Sequence, residues 1–176
     1  VGGVRLQHLA GAGLVASLGI ALSLATSRYQ MQRLRSFVDP EGDPDGYYQV
    51  LQSLYGLGSG GFFGMGLGNS MQKEQYLPEP HTDFVFAFIG EEFGLVGTMV
   101  VLALFAAFAF YGLRIGRESG DAHGYLVATG ITAMISIYAL LNIGVATGLL
   151  PTTGLPLPFV SYGGSSLMGN MAGVGI

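Results

Sequence analysis

The chain has 176 residues, of which 50% are apolar and only 10% are charged, and its mean hydropathy is +0.51. A soluble domain carries roughly 25% charged residues, so an ordinary cytosolic enzyme and a disordered tail are both excluded. The net charge of −4, with basic residues scattered, excludes a nucleic-acid groove, and the lack of cysteine removes disulfides, cysteine zinc sites, Fe–S clusters and a thiol nucleophile.

The chain opens at Val1 with no signal-peptide pattern and stops at Ile176 inside an apolar run that begins at Leu167, so it is expected to be a piece of a longer protein. A membrane helix needs roughly 20 mostly apolar residues. Leu9–Ser27, Phe93–Leu113 and Tyr125–Leu150 each meet that length without a charge, and Leu167 starts a fourth run. The expected fold class is therefore all-α, a polytopic membrane protein with three full transmembrane helices, the start of a fourth and one large loop.

That loop is the polar segment Arg28–Asp83. Asp39–Gly46 (DPEGDPDG) reads as turn chemistry. Tyr47, Leu51, Leu54 and Tyr55 then fall at helical spacing, which predicts a short amphipathic helix suited to a membrane surface. A run with glycine at 58, 60, 61, 64, 66 and 68 follows, with little intrinsic helicity. Pro78 and Pro80 keep their predecessors extended, and Thr82 or Asp83 is placed to cap the next helix. A charged link, Arg114–Gly124, joins the second and third spans, and the Pro-rich segment Pro151–Ser166 follows the third. Segments 28–83 and 151–166 must lie on one side of the membrane, because one helix pair separates them. Charge does not say which side: Arg28, Arg33, Arg35 and Lys73 stand against Arg5, Arg114 and Arg117.

No Walker A, GxSxG or HExxH pattern occurs. GxxxG spacings such as Gly90–Gly94, Gly112–Gly116 and Gly144–Gly148 are uninformative, since 30 glycines produce about five by chance. The carboxylates say more. On a helix, Glu91 lies about 80° round and about 12 Å along from Asp83, so the two are not a close acid–base dyad. Ionisable groups at membrane depth are usually functional or paired. From the residues alone, Asp83 is a helix cap or a functional carboxylate, and Glu91 and Glu92 are solvated at the interface or functional. The cluster Ser161–Ser166 (SYGGSS) is a flexible turn before a helix or an anion site built of backbone N–H groups and hydroxyls. Topology puts it on the same membrane face as Asp83. Asn142 is the strongly polar side chain deep in a span.

The strings YQVLQSLYGLGSGGFFGMGLGNSMQK, YLPEPHTDFVFAFIGEEFGLVG and GLLPTTGLPLPFVSYGGSSL, which cover most of Tyr48–Leu167, closely resemble the SEDS family of FtsW, RodA and SpoVE. QKEQYLPEPHTDF with GEEFG is more similar to the FtsW/SpoVE branch, while GLPLPF is less typical of FtsW. The resemblance implies a ten-helix protein of the bacterial inner membrane, of which residues 1–176 are the C-terminal part of one domain and 28–83 the large extracytoplasmic loop. It implies a peptidoglycan glycosyltransferase that polymerises lipid II, with a class B penicillin-binding protein and other divisome or elongasome proteins as partners. It assigns Asp83 the catalytic role, and Lys73, His81, Ser161, Gly163, Gly164, Ser165 and Ser166 the binding of substrate. It implies no resident cofactor, although a divalent cation at the lipid diphosphate is compatible with it. A lipid II flippase and a non-catalytic division scaffold are the competing functions. Transport would require a polar path across the spans, and a scaffold would tolerate loss of Asp83.

Overall fold

The structure is a computed structural model that describes residues 6–39, 44–66, 84–161 and 164–175. The described residues form six helices and no strands: α1 (Leu6–Thr26), α2 (Arg28–Val38), α3 (Pro44–Ser59), α4 (Val85–Glu118), α5 (Ala122–Ala146) and α6 (Gly164–Val174). Two of them, α4 and α5, are long and apolar enough to cross a membrane. The chain divides into two compact units, Val1–Tyr47 and Tyr48–Ile176, each taken by itself below.

In the first unit, α1 covers most of the first expected span. Leu14, Val15, Leu18 and Leu22 stand 65–73% exposed on it, a surface that requires an apolar surrounding. Helix α2 is absent from the sequence reading, which treated 28–46 as polar loop and turn. Its signal was local: Ser27 and Gln30 form the Ser-x-x-Gln pattern of a helix start. The Ser27 hydroxyl caps α2 by accepting the Gln30 N–H at 3.4 Å. The expected turn at Asp39–Gly46 is likewise shortened, because Pro44, Asp45 and Gly46 form the first turn of α3. Proline suits a first helical position, where its missing N–H leaves no partner unsatisfied.

The second unit is built on the α4–α5 hairpin. Opposite the turn at 119–121, Phe84 and Val145 form a buried pair flanked by Phe88 and Leu150. Helix α3, expected from its apolar spacing, docks at this end. The buried Ser53 hydroxyl donates to the Ala146 carbonyl at 2.7 Å, and Val50 and Leu54 face Gly148. This part of α3 therefore lies at the end of the hairpin from which the Pro-rich segment leaves. Further along, Gly112 and Gly116 of α4 pack against Thr132 and Thr129 of α5. The Gly112–Gly116 spacing, uninformative by count, is thus used inside the chain.

At 34 residues α4 is longer than a bilayer requires, and it is not continuous. Gly94 stands at φ 66°, ψ −158° and separates a leg, Val85–Phe93, from the main helix. The part from Leu95 onward is by itself long enough to cross an apolar core, which takes about 20 residues.

Candidate functional site at the broken helix and the re-entrant turn

The break in α4 is filled by the glycine-rich segment that follows α3. Met65 N–H donates to the Glu91 carbonyl at 2.9 Å and Gly66 N–H to the Glu92 carbonyl at 3.1 Å. In return Leu95 N–H donates to Gly61 O at 2.9 Å and Val96 N–H to Phe62 O at 3.2 Å. Glycine is a steric requirement here: a methyl group on Gly60 would lie on the Gly90 carbonyl, and one on Gly64 on the Glu92 carbonyl. The sequence reading placed a weakly helical run at 58–68 but did not foresee its partner.

The expected caps of α4, Thr82 and Asp83, lie outside the described residues, and the residue at its N-terminal boundary is Phe84. One reading made from the residues alone changes. Glu91 is not solvated at an interface. It is 2% exposed on the leg, while Glu92 is half-buried. The segment 60–66 lies against the Glu91 backbone, its Met65 N–H on the Glu91 carbonyl.

The second element is the Pro-rich segment after α5. Asn142, buried, donates through Nδ2 to the Leu155 carbonyl at 2.7 Å. Leu157 and Pro158 are fully buried, and the Phe159 ring meets that of Phe108 edge-on with centroids 6.0 Å apart. Phe159 takes a left-handed backbone, φ 64°, an uncommon state for a bulky residue. Pro158, Phe159 and Val160 line an apolar groove of about 220 Å³ with Val101, Leu104, Phe105 and Phe108. Those α4 residues lie about 10–21 Å along the helix from Gly94 at 1.5 Å per residue. The turn therefore sits level with the middle of α4, not at its Gly94 end, and α6 starts from there. Non-helical backbone persists at such depth only when it is buried in protein, and prolines at 151, 156 and 158 reduce the N–H groups that need partners.

Of the expected site residues, Ser161, Gly164, Ser165 and Ser166 are described. Ser161 is buried, and its hydroxyl accepts the Leu157 N–H at 2.7 Å. Gly164 and Ser165 are exposed at the start of α6, and Ser166 Oγ accepts from Asn170 at 3.5 Å. Asp83, Lys73, His81 and Gly163 lie outside the described residues. Among the described residues no three His, Asp or Glu side chains gather as metal ligands. Sequence reasoning missed the buried hydroxyls of α5, Thr129 and Ser136, whose Oγ atoms have no hydrogen-bond partner.

The family of cell cycle proteins comprising FtsW, RodA and SpoVE matches residues 1–176. Stage V sporulation protein E of Bacillus subtilis (strain 168) is 46% identical, over 100% of this chain and 48% of its own length. A probable peptidoglycan glycosyltransferase FtsW of Marinobacter nauticus is 49% identical, over 99% of this chain and 45% of its own. A solved chain from a peptidoglycan synthase complex that coordinates polymerization and crosslinking superposes with a TM-score of 0.67 at 28% identity, over 97% of this chain and 47% of that one. The chain thus spans about half the length of the relatives it matches.

Proposed function

Since the chain belongs to the FtsW, RodA and SpoVE family of cell cycle proteins, we propose that the intact protein is a peptidoglycan glycosyltransferase that polymerises lipid II. The observation that carries this reading is the match of the whole chain to relatives named peptidoglycan glycosyltransferase. In the reaction, the 4-hydroxyl of the acceptor sugar attacks C1 of the donor. The new C1–O4 bond forms as the bond from C1 to the undecaprenyl diphosphate breaks, and the hydroxyl proton passes to a base. Asp83 is that base. In sequence it stands two residues before the leg of α4, Val85–Phe93.

Lys73 and His81, with the exposed Gly164 and Ser165 and the half-buried Ser166, are the groups for the departing diphosphate, where N–H and cationic donors stabilise developing charge. Ser161 and Gly163 complete the substrate-binding set. A divalent cation at the diphosphate would be held chiefly by the substrate's own oxygens. The apolar groove at Phe159 is open to the polyprenyl tail. A class B penicillin-binding protein is the crosslinking partner, alongside other division or elongation proteins. The protein is a multi-pass protein of the bacterial inner membrane, α1 a further crossing, and 28–83 extracytoplasmic. A transport path receives little support, because Asn142 is committed to Leu155.

The test is lipid II polymerisation by full-length Asp83→Asn protein with its penicillin-binding partner, checked for normal expression and partner binding. Loss of a general base lowers the rate about 10²- to 10⁴-fold. Glycan chains formed within a few-fold of wild type would reject Asp83 as the base, whereas wild-type protein and partner that form none would reject the polymerase reading and favour a scaffold. Orientation is read separately with single cysteines at Ser70 and Ser119: an impermeant thiol reagent on intact cells is expected to label position 70 and not 119.

A further inference from the structure

Helix α2 turns outward the face that a helix in water would cover. Ser36 is 5% exposed, whereas Leu34 and Val38 are 38% and 76% exposed. At about 100° per residue, Leu34 and Val38 share one face, about 40° apart, and Ser36 lies about 160° round from both. The covered side of α2 is therefore polar and its open side apolar, the reverse of the usual pattern for a surface helix. The helix also carries one sign of charge. Arg28, Arg33 and Arg35 are three of the seven basic residues in a chain of net charge −4, and α2 holds no carboxylate. The acids Asp39, Glu41, Asp43 and Asp45 begin only at its C-cap. Its place follows from α1. The apolar α1 ends at Thr26, Ser27 caps α2, and the Ser23 hydroxyl donates to Gln30 Oε1 at 2.9 Å across the joint.

We propose that α2 is a binding site for anionic phospholipid: Leu34 and Val38 enter the acyl-chain border of the leaflet in which α1 ends, and Arg35 holds a lipid phosphate. A basic amphipathic helix lies in the membrane interface in this way, with its apolar side buried and its charges at the headgroups. Arg35 is exposed, about 60° round from Val38, so its stem can follow the lipid while the guanidinium reaches the phosphate. A guanidinium donates to two phosphate oxygens at once. Phosphatidylcholine carries a phosphate too, but its choline cancels the charge. The arginines of α2 therefore select a headgroup of net negative charge, by about fivefold for each arginine at the surface. Continuity argues for lipid over a protein partner: Leu14, Val15, Leu18 and Leu22 of α1 are open in the same unit, immediately before the open face of α2. The site rests on the reading of α1 as a membrane crossing and is independent of the polymerase reading.

The experiment uses the full-length protein in phosphatidylcholine nanodiscs, with any cysteines outside residues 1–176 replaced. A bimane label is attached singly at Val38→Cys, at Leu34→Cys and, as a marker of the crossing, at Leu18→Cys, all exposed positions. Quenching by brominated phosphatidylglycerol is compared with quenching by brominated phosphatidylcholine. At positions 34 and 38 the glycerol lipid is expected to quench at a mole fraction at least about fivefold lower, and Arg35→Gln to reduce that preference about fivefold. Equal quenching by the two lipids overturns the anionic site, and so does a preference that Arg35→Gln leaves unchanged. Labels at 34 and 38 that neither lipid quenches are covered by water or protein, which overturns it as well. Salt gives a second measurement that needs no arginine variant: the preference is expected to shrink as ionic strength rises, because exposed charges are screened. A preference indifferent to salt overturns the proposal. Position 18 tests the underlying reading by itself. If aqueous iodide quenches the label there, α1 is not embedded, and the lipid site fails with that reading. If position 18 is shielded from iodide while 34 and 38 meet no lipid, the lipid site alone fails.

Discussion

The two ends of α4 use glycine in opposite ways. At the Gly94 end the helix is interrupted, and Gly60, Gly64 and Gly94 let one main chain lie directly on another. At the far end the helix is continuous, and Gly112 and Gly116 leave room for the Thr132 and Thr129 side chains of α5. The first use concerns conformation and backbone hydrogen bonds; the second concerns the distance between two intact helices. In apolar surroundings a break survives only where other groups re-pair the freed N–H and C=O atoms. Close helix packing has no such requirement and needs only small residues. A glycine count sees no difference between the two regions.

Substitution separates them. Gly64→Ala places a methyl group on the Glu92 backbone and forces a side chain into φ 81°. The expected outcome for the full-length protein is a loss of stability beyond the ~3 kcal/mol that ordinary overpacking reaches. Because the obstruction is backbone, no side-chain truncation should restore it. Gly112→Ala instead meets the Thr132 side chain, with Cγ2 at 2.8 Å. Overpacking of this kind costs about 1–3 kcal/mol of stability, and Thr132→Ala in the same protein should recover most of it. Thermal unfolding in detergent checks both. A side-chain truncation that rescued Gly64→Ala would erase the distinction between the two ends.

These two regions also mark what was legible in the sequence. Uncharged runs located α4 and α5 well, because length and apolarity are properties of a local stretch. The amphipathic α3 was legible for the same reason: Tyr47, Leu51 and Leu54 repeat at helical spacing within one segment. The break was not legible, since Gly94 sits in an apolar run that any helix tolerates and its left-handed state depends on Gly61–Gly66, about 30 residues earlier. The depth of the Ser161 turn was hidden too, because it is set by Asn142 with Leu155 and Phe108 with Phe159. Asp83, Lys73 and His81 were singled out by motif, and their geometry lies outside the described residues.

The re-entrant turn sharpens the comparison, since it too places non-helical backbone beside α4 but satisfies it differently. There a side chain, Asn142, serves the Leu155 carbonyl, where the break in α4 is served by main chain. Asn142→Leu is therefore expected to remove the partner of a part-buried carbonyl, at a cost of about 1–3 kcal/mol. Ser53→Ala removes the bond to the Ala146 carbonyl, a contribution of about 1 kcal/mol. Both read out as lowered thermal stability of the full-length protein, with Asn142→Leu the larger. Equal or reversed losses would mean that the turn is held by its prolines and ring contacts rather than by Asn142.

The smallest effect is expected at the short α4–α5 turn, which has neither a break nor an inserted segment. Here a side chain performs the capping that Phe84 does not supply for α4. Asp121 caps α5, its Oδ2 accepting the Gly124 N–H at 3.1 Å and its Oδ1 the Ser119 hydroxyl at 3.1 Å. The Gly124 N–H first, then the Ser119 hydroxyl, hold the carboxyl below its ordinary value of 3.8. A carboxyl lowered on folding binds its proton more weakly in the native state. Its contribution is thus fully present above 3.8 and is lost as the pH falls through the lower native value. Asn at this position still accepts from Gly124 but does not titrate. The stability difference between wild type and Asp121→Asn should therefore be constant from neutral pH down to about pH 5 and shrink below 3.8, with polymerisation at neutral pH unchanged. Thermal unfolding of the two proteins across that acid range is the measurement. A difference that stays flat to the acid end would show that the charge on Asp121 plays no part in holding the turn, leaving a neutral cap of the kind Asn supplies equally well.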